Sequence, residues 1–372
     1  MEDIERVCRP CVLKLEDCDV GMTIEEVERE LGLTDITKLS ENENPFGMSP
    51  KAIEAAVADL PNAFMYPEHA FYDMVNALAA ANDVPASMIV AGHGVEALIH
   101  LLPQLLVNSG DEVILADVTY DLYRRASLVM DAELVTVPLR DFRHDLEAVA
   151  EAVTPRTKLI WVCNPNNPTG TIVYRRETRA FLDTLPSGVA VVFDQAYREY
   201  VDDPDYADGV EFLKEGYENV VVLRTFSKAH GMAGLRVGYC VASSDICRFL
   251  HRIREPFNVN RLAVVACQAS LADHDFLGRC LENNRLGRTY LTEQFRRMGM
   301  EPVASQANFV LVDTKRDADA LFERLLARGV IVRSASDWGL ATFLRVSVGR
   351  PEQNELAVAL LEEESRALRP LA

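Results

Sequence analysis

Leu223-Arg-Thr-Phe-Ser-Lys-Ala-His-Gly-Met-Ala-Gly-Leu-Arg236 is the stretch on which the reading of this chain turns. It continues a β-branched run at 220–222 that predicts a buried strand. The strand ends in a polar turn carrying Thr225, Ser227 and Lys228, and Arg236 comes eight positions after the lysine. A lysine there can form a Schiff base with a carbonyl compound, while two hydroxyls and a guanidinium can hold a phosphate. The plain alternative is a solvated loop lysine beside a helix-capping glycine, and the rest of the chain argues against it.

Outward from this stretch, apolar runs at 88–91, 113–116, 134–138, 158–163, 189–193, 220–224 and 237–242 predict seven buried strands. Helical or loop connections separate them, which predicts an α/β fold with a mostly parallel sheet and helices on both faces. Ligands on such sheets sit beyond the carboxyl ends of the strands. Gly94, Tyr120, Asn167, Asp194 and Lys228 each follow a predicted strand in that position. Gly92-His-Gly-Val-Glu-Ala97 leads from a strand into an apolar helix, and a helix N-terminus offers N–H groups to an anion. The same hexapeptide fits the dinucleotide fingerprint, with Asp117 after the next strand, so an NAD-dependent dehydrogenase stands as an alternative here. Asn164-Pro-Asn-Asn-Pro-Thr-Gly170 is a stiff turn dense in amides, and Asp194-Gln-Ala-Tyr197 places a carboxylate at a strand end, suited to pair with a protonated ring nitrogen.

These motifs, in this order, resemble fold-type-I pyridoxal-phosphate (PLP) aminotransferases of class I/II, nearest the histidinol-phosphate aminotransferase branch. The resemblance runs from residue 39 to 349 and takes in Ser40-Glu-Asn-Glu-Asn-Pro-Phe-Gly47, Tyr66-Pro67, Arg254-Glu-Pro-Phe-Asn-Val-Asn260 and Phe343-Leu-Arg-Val-Ser-Val-Gly349. It implies pyridoxal 5'-phosphate as cofactor. Lys228, Asp194 and Tyr197 would be catalytic. Gly94, Val95, Glu96, Thr225, Ser227 and Arg236 would hold the phosphate, with Tyr66 reaching it from a partner subunit. Tyr120 would stack on the ring, and Asn167 and Tyr197 would share its phenolic oxygen. Asn44, Arg333 and Arg345 would bind substrate, the arginines as anion clamps. The implied reaction is transamination between L-histidinol phosphate and 2-oxoglutarate, giving imidazole acetol phosphate and glutamate. An aromatic amino acid aminotransferase and a phosphothreonine decarboxylase are alternatives on the same scaffold. The sequence departs from the family's pattern at Val95, Ala97, Gln195 and His230.

Composition bounds the rest. With 372 residues, the chain suits a large unit and a smaller one. The expected division is an arm at 1–45 joining the small domain, a PLP-binding domain at 46–262, and an interdomain helix with a small α/β domain at 263–372. Short strands are expected at 308–312, 330–333 and 343–347, and a long, interrupted helix at about 262–298. The net charge of −19 argues against nucleic acid and anionic membranes as partners. An amino donor, a 2-oxo acid and a second copy of the chain are the expected partners. The acidic N-terminus lacks the pattern of a secretory signal, which predicts a cytoplasmic location. Cys8-Arg-Pro-Cys11, with Cys18 nearby, is half a zinc-site pattern that nothing completes, so no metal is expected.

Overall fold

A computed structural model of the chain describes residues 5–16, 21–369 and 371. Cys18 lies outside the described residues. A short strand, β1 (Thr37–Lys38), comes first. The seven expected runs follow as β2 (Ile89–His93), β3 (Glu112–Ala116), β4 (Glu133–Val137), β5 (Thr157–Cys163), β6 (Ala190–Asp194), β7 (Val220–Thr225) and β8 (Val237–Ala242). They form one sheet in the order β2-β8-β7-β6-β5-β3-β4. All pairings are parallel except those of β8, which runs antiparallel to β2 and β7.

Alternation along the strands builds two cores. Ile160, Val162, Val191, Phe193, Val220 and Val222 project into one layer, and Leu159, Trp161, Val192, Val221 and Leu223 into the other. Both layers are buried, which is why these strands read as unbroken apolar runs. Helices Tyr72–Asn82, Arg175–Thr184 and Arg261–Leu271 supply apolar residues to the first layer. Helices Gly94–Leu106, Leu122–Val129 and Ser244–Ile253 supply the second.

The C-terminal part adds β9 (Glu301–Pro302), β10 (Phe309–Asp313), β11 (Val330–Ile331), β12 (Arg333–Ser334) and β13 (Phe343–Ser347). Four of these make an antiparallel sheet in the order β12-β13-β10-β9. The run expected at 330–333 is in fact two strands, because β11 leaves this sheet and pairs in parallel with β1. The expected long helix is likewise two, Arg261–Leu271 and His274–Arg297. Asp273 lies in the break, buried, where its carboxylate accepts from Ser49 Oγ at 2.5 Å and faces Lys51 Nζ at 3.1 Å.

Gly231, in the turn after Lys228, has a left-handed φ of +68°, and a Cβ there would lie 1.9 Å from the Gly47 carbonyl oxygen. Gly339 has a similar φ of +75° but open space around it. Gly339→Ala is therefore expected to cost only the left-handed penalty, about 1–2 kcal/mol. Gly231→Ala is expected to cost clearly more, because backbone must also move. Thermal melts of the two variants check the ranking.

Candidate active site

The carboxyl ends of β3, β5, β6 and β7 open into a cavity of about 770 Å³. Tyr120, Asn167, Asp194, Tyr197, Thr225, Ser227, Lys228 and Arg236 all line it, joined by Val95 and Glu96 from the helix after β2. Glu41 and Asn42 reach it from the N-terminal segment, and Arg333, Trp338 and Arg345 from the C-terminal sheet region. Residues up to 329 positions apart in the chain, Glu16 and Arg345, thus share one site.

Lys228 Nζ donates to the Glu41 carbonyl at 2.8 Å and lies 5.8 Å from the centre of the Tyr197 ring. Burial, and then the charge of Arg345, bring its pKa down to about 8. Asp194 closes β6 and is 3% exposed. Its Oδ2 accepts from the Tyr123 hydroxyl at 2.7 Å and its Oδ1 from the Ala196 N–H at 3.1 Å. Burial raises the carboxyl to about 6, against the opposing pull of those two hydrogen bonds and of Lys228. The Tyr197 hydroxyl accepts from Asn42 Nδ2 at 3.1 Å, and burial pushes its phenol up.

Beside this group lies an anion cup. The Thr225 hydroxyl donates to Ser227 Oγ at 3.0 Å and accepts from the Ser227 N–H at 3.1 Å. Arg236 Nη2 meets Glu96 Oε2 at 2.7 Å, and the other oxygen of Glu96 accepts from the Tyr120 hydroxyl at 3.3 Å. Gly94 does not itself line the cavity, but a Cβ on it would stand 2.8 Å from Arg236 Nη2, so its bareness makes room for the guanidinium. Two hydroxyls, a guanidinium and the first turn of the helix Gly94–Leu106 make a phosphate-sized donor set.

On the opposite wall, Arg333 and Arg345 stand directly across the β12–β13 ladder. Arg345 is buried; its Nη1 donates to Asn167 Oδ1 at 2.6 Å, its Nη2 to the Ser40 carbonyl, and its Nε has no partner among the described residues. Its guanidinium also packs on Trp338 and Phe309. Arg333 Nη2 pairs with Asp337 at 2.8 Å. Like charges opposite one another in a ladder repel, so this wall favours an anion between them.

Two expected residues lie elsewhere. Asn44 is buried outside the cavity, donating to the Ala229 carbonyl at 2.8 Å and to Cys280 Sγ at 3.2 Å. The cavity-facing asparagine of that segment is Asn42. Its φ of +57° turns the chain, and Ser347 Oγ holds its Oδ1 at 2.8 Å. Tyr66 lies on the outer surface, 79% exposed and stacked on Phe257 at 4.8 Å. Tyr123 was not anticipated: it lies in the first turn of the helix Leu122–Val129, while Tyr120 precedes that helix, so no helical spacing links the two. Two departures from the family's pattern are structural. Gln195 Nε2 donates to the Ala207 carbonyl and its Oε1 accepts from Arg224, which is itself paired with Asp208. His230 packs on Phe226 and meets Ser270 Oγ at 2.8 Å. The dinucleotide alternative fails on topology. The strand before Gly92-x-Gly94 is β2, whose sole neighbour in the sheet is the antiparallel β8, where the fingerprint needs a parallel βαβ unit. Among the described residues no group of three or more His, Cys, Asp or Glu is placed to hold a metal ion.

A half-buried amine, a buried strand-end carboxylate, an anion cup and a second cationic wall define a class of enzyme that works on amines with a phosphorylated carbonyl cofactor. Residues 34–361 match the Aminotransferase class I and II family, and the chain belongs to it. It is 45% identical over 356 residues to histidinol-phosphate aminotransferase of Moorella thermoacetica, covering 96% of this chain and 92% of that protein. With the enzyme of that name from Brevibacillus brevis the identity is 43%, covering 92% and 94%. Among solved structures, histidinol-phosphate aminotransferase from Sinorhizobium meliloti in complex with pyridoxal-5'-phosphate superposes with a TM-score of 0.88 at 28% identity, covering 96% and 97% of the two chains.

The electrostatics of Lys228 are testable in protein dialysed free of small molecules. Only the neutral amine reacts with an acylating reagent, so modification of Lys228 is expected to rise through pH about 8. Arg345→Gln removes a neighbouring cation, makes the ammonium easier to keep, and should move that rise to higher pH. Peptide mass mapping reads both.

Proposed function

We propose that this aminotransferase acts on L-histidinol phosphate and 2-oxoglutarate, giving imidazole acetol phosphate and glutamate, with pyridoxal 5'-phosphate held in the cavity described above. The observation that carries the substrate choice is the pair Arg333 and Arg345 across one ladder at the cavity wall. Two guanidiniums there suit the phosphate of one substrate and the carboxylates of the other in turn. The similarity to histidinol-phosphate aminotransferases along almost the whole chain supports the same reading.

The residues present fit the cofactor. Thr225, Ser227, Arg236 and the helix turn at Val95 and Glu96 would take its phosphate. Tyr120 would lie against its ring, Asn167 and Tyr197 beside its phenolic oxygen, Asp194 at its ring nitrogen and Lys228 at its aldehyde. When bound, the cofactor supplies an aldehyde for amine exchange and an electron-poor ring that accepts the electron pair of a broken Cα–H bond. The chain's own groups do the rest. Asp194, held as a carboxylate by Tyr123 and Ala196, keeps a proton on the ring nitrogen. Lys228 Nζ, with its pKa near 8, is close enough to neutrality to take the donor's Cα proton as a base and, as an ammonium, to hand it on to the cofactor side rather than back to the donor. Arg333 and Arg345 orient the substrate so that its Cα–H bond points at Nζ.

The working unit in this proposal is a homodimer. Ile53, Val57 and Leu60 form an apolar stripe along the outside of the segment 50–62, and Phe64, Tyr66 and Tyr72 continue the exposed apolar surface beyond it. A second copy covering that surface would bring Tyr66 to the partner's phosphate cup. The division into arm, large domain and small domain at 1–45, 46–262 and 263–372 belongs to the same proposal. So does a cytoplasmic location, which the seven free cysteines among the described residues favour. No helix of the described residues is long and apolar enough to cross a membrane.

Lys228→Ala is expected to abolish both transamination and the visible absorbance of the loaded protein; survival of either overturns the role of Lys228. Arg333→Gln should lower kcat/KM for histidinol phosphate by about ten- to a hundredfold, the worth of a charged hydrogen bond. It should leave phenylalanine, which has no phosphate, little changed. A donor panel on the wild type in which phenylalanine or tyrosine outperforms histidinol phosphate would replace the substrate. Mixing Lys228→Ala with Tyr66→Ala protein should restore activity through hybrid dimers with one intact site, and no restoration would contradict the shared site.

A further inference from the structure

We propose that Tyr123 is a positioning residue of the reaction: its hydroxyl, given to Asp194 Oδ2 at 2.7 Å, aims the carboxylate at the cavity and keeps it ionised. The inference rests on the reading of Asp194 as the partner of the cofactor's ring nitrogen. Three observations build it. Tyr123 is fully buried on the helix Leu122–Val129, so its hydroxyl has no water to turn to. Its ring is clamped, stacked on Trp161 with centroids 4.8 Å apart and planes 11° apart, and met edge-on by Tyr120 at 5.6 Å. The Ser127 hydroxyl bonds the Tyr123 carbonyl at 2.7 Å, which ties the backbone one turn further on.

The Trp161 indole N–H has no partner among the described residues, so at this point in the fold its contribution is the flat face under Tyr123. With the ring fixed, the hydroxyl is held between the Asp194 carboxylate, which accepts from it at 2.7 Å, and the Cys163 thiol. Asp194 Oδ1 is taken by the Ala196 N–H and Oδ2 by Tyr123, so both oxygens are pinned while the carboxylate still lines the cavity. A neutral donor suits this task. An arginine or lysine at Tyr123 would neutralise the carboxylate and compete with the ring nitrogen for it, whereas a phenol stabilises the anion and leaves its charge in place.

The groups facing Asp194 are Tyr120 and Tyr123 from the helix Leu122–Val129 and its lead-in, the Cys163 thiol at the end of β5, Tyr197 beyond β6 and Lys228 beyond β7. Burial raises the carboxyl and Tyr123 opposes it, so losing the hydroxyl raises it further. Activity needs the carboxylate and fails as pH falls through that pKa. The acid limb must therefore move to higher pH when the hydroxyl is removed.

The test is Tyr123→Phe, which keeps the stack and drops the donor. The dissociation constant of pyridoxal 5'-phosphate, the visible absorbance and kcat/KM would each be followed against pH. Expected are an acid limb displaced upward in the absorbance and binding titrations, and a kcat lowered about tenfold at neutral pH with KM for the donor unchanged, the effect of one charge-assisted hydrogen bond. A ring-fluorinated tyrosine at this position, a stronger donor of the same shape, should move the limb the other way. Trp161→Phe, which disturbs packing but keeps the hydroxyl, should leave it in place. Unmoved limbs in both Tyr123 variants, or the same displacement from Trp161→Phe, would overturn the proposal. Failure of the wild type to bind the cofactor would instead sink the reading beneath it.

Discussion

Two ionisable groups of opposite sign, the half-buried Lys228 amine and the buried Asp194 carboxyl, stand at one edge of an apolar sheet without touching each other. Everything around them answers to that constraint. A buried charge without partners costs several kcal/mol, and a direct ion pair would leave neither group free for chemistry. Here each is served by neutral partners: the Glu41 carbonyl for the amine, the Tyr123 hydroxyl and the Ala196 N–H for the carboxyl. Both pKa values are drawn inward, to about 8 and about 6, which places proton exchange near neutrality.

The fold makes this arrangement by dividing the work. The central sheet, buried on both faces, is stiff and delivers one polar turn per strand end. The C-terminal sheet delivers the cationic wall. They meet directly at Arg345–Asn167 and Trp338–Thr119, and the N-terminal segment bonds to both. Asn42 N–H donates to Ser347 Oγ, the Asn42 carbonyl accepts from Asn308, and Ser40 accepts from Arg345. From the same segment, Asn42 Nδ2 reaches Tyr197. Lys228 itself bonds this segment, so its amine is held by the same strap that bonds Arg345. With net charge −19 the overall field repels anions, and the arginines must act at short range.

Much of this was legible in the sequence, for a physical reason. Strands covered on both faces read as continuous apolar runs; β4, at the sheet edge with Glu133 and Thr136 exposed, is the exception, yet all seven central strands were found to within about two residues at each end. The cavity residues follow those runs directly, and Lys228, Asp194, Asn167 and Tyr120 come together as strand-end placement implies. What stayed hidden depends on pairing or rotation that spacing does not encode. Nothing local says that Tyr123 will meet a carboxylate 71 positions away, or that Trp161 will be its platform. In the Asn-Glu-Asn-Pro turn, a left-handed φ at Asn42 decides which asparagine faces the cavity, and the sequence reading took Asn44 instead. The run at 330–333 split because β11 found its partner at β1, nearly three hundred residues earlier. Gln195 and His230 broke the family's pattern without reaching the site, since Arg224 and Ser270 hold them behind it.

The central claim is that one particular nitrogen in this protein meets the cofactor's aldehyde. Borohydride treatment of the protein loaded with pyridoxal 5'-phosphate, followed by proteolysis and mass spectrometry, locates the reduced adduct directly. The account predicts a single phosphopyridoxyl mass on the peptide containing Lys228. An adduct on Lys38, Lys158 or any other lysine, with Lys228 unmodified, would contradict it.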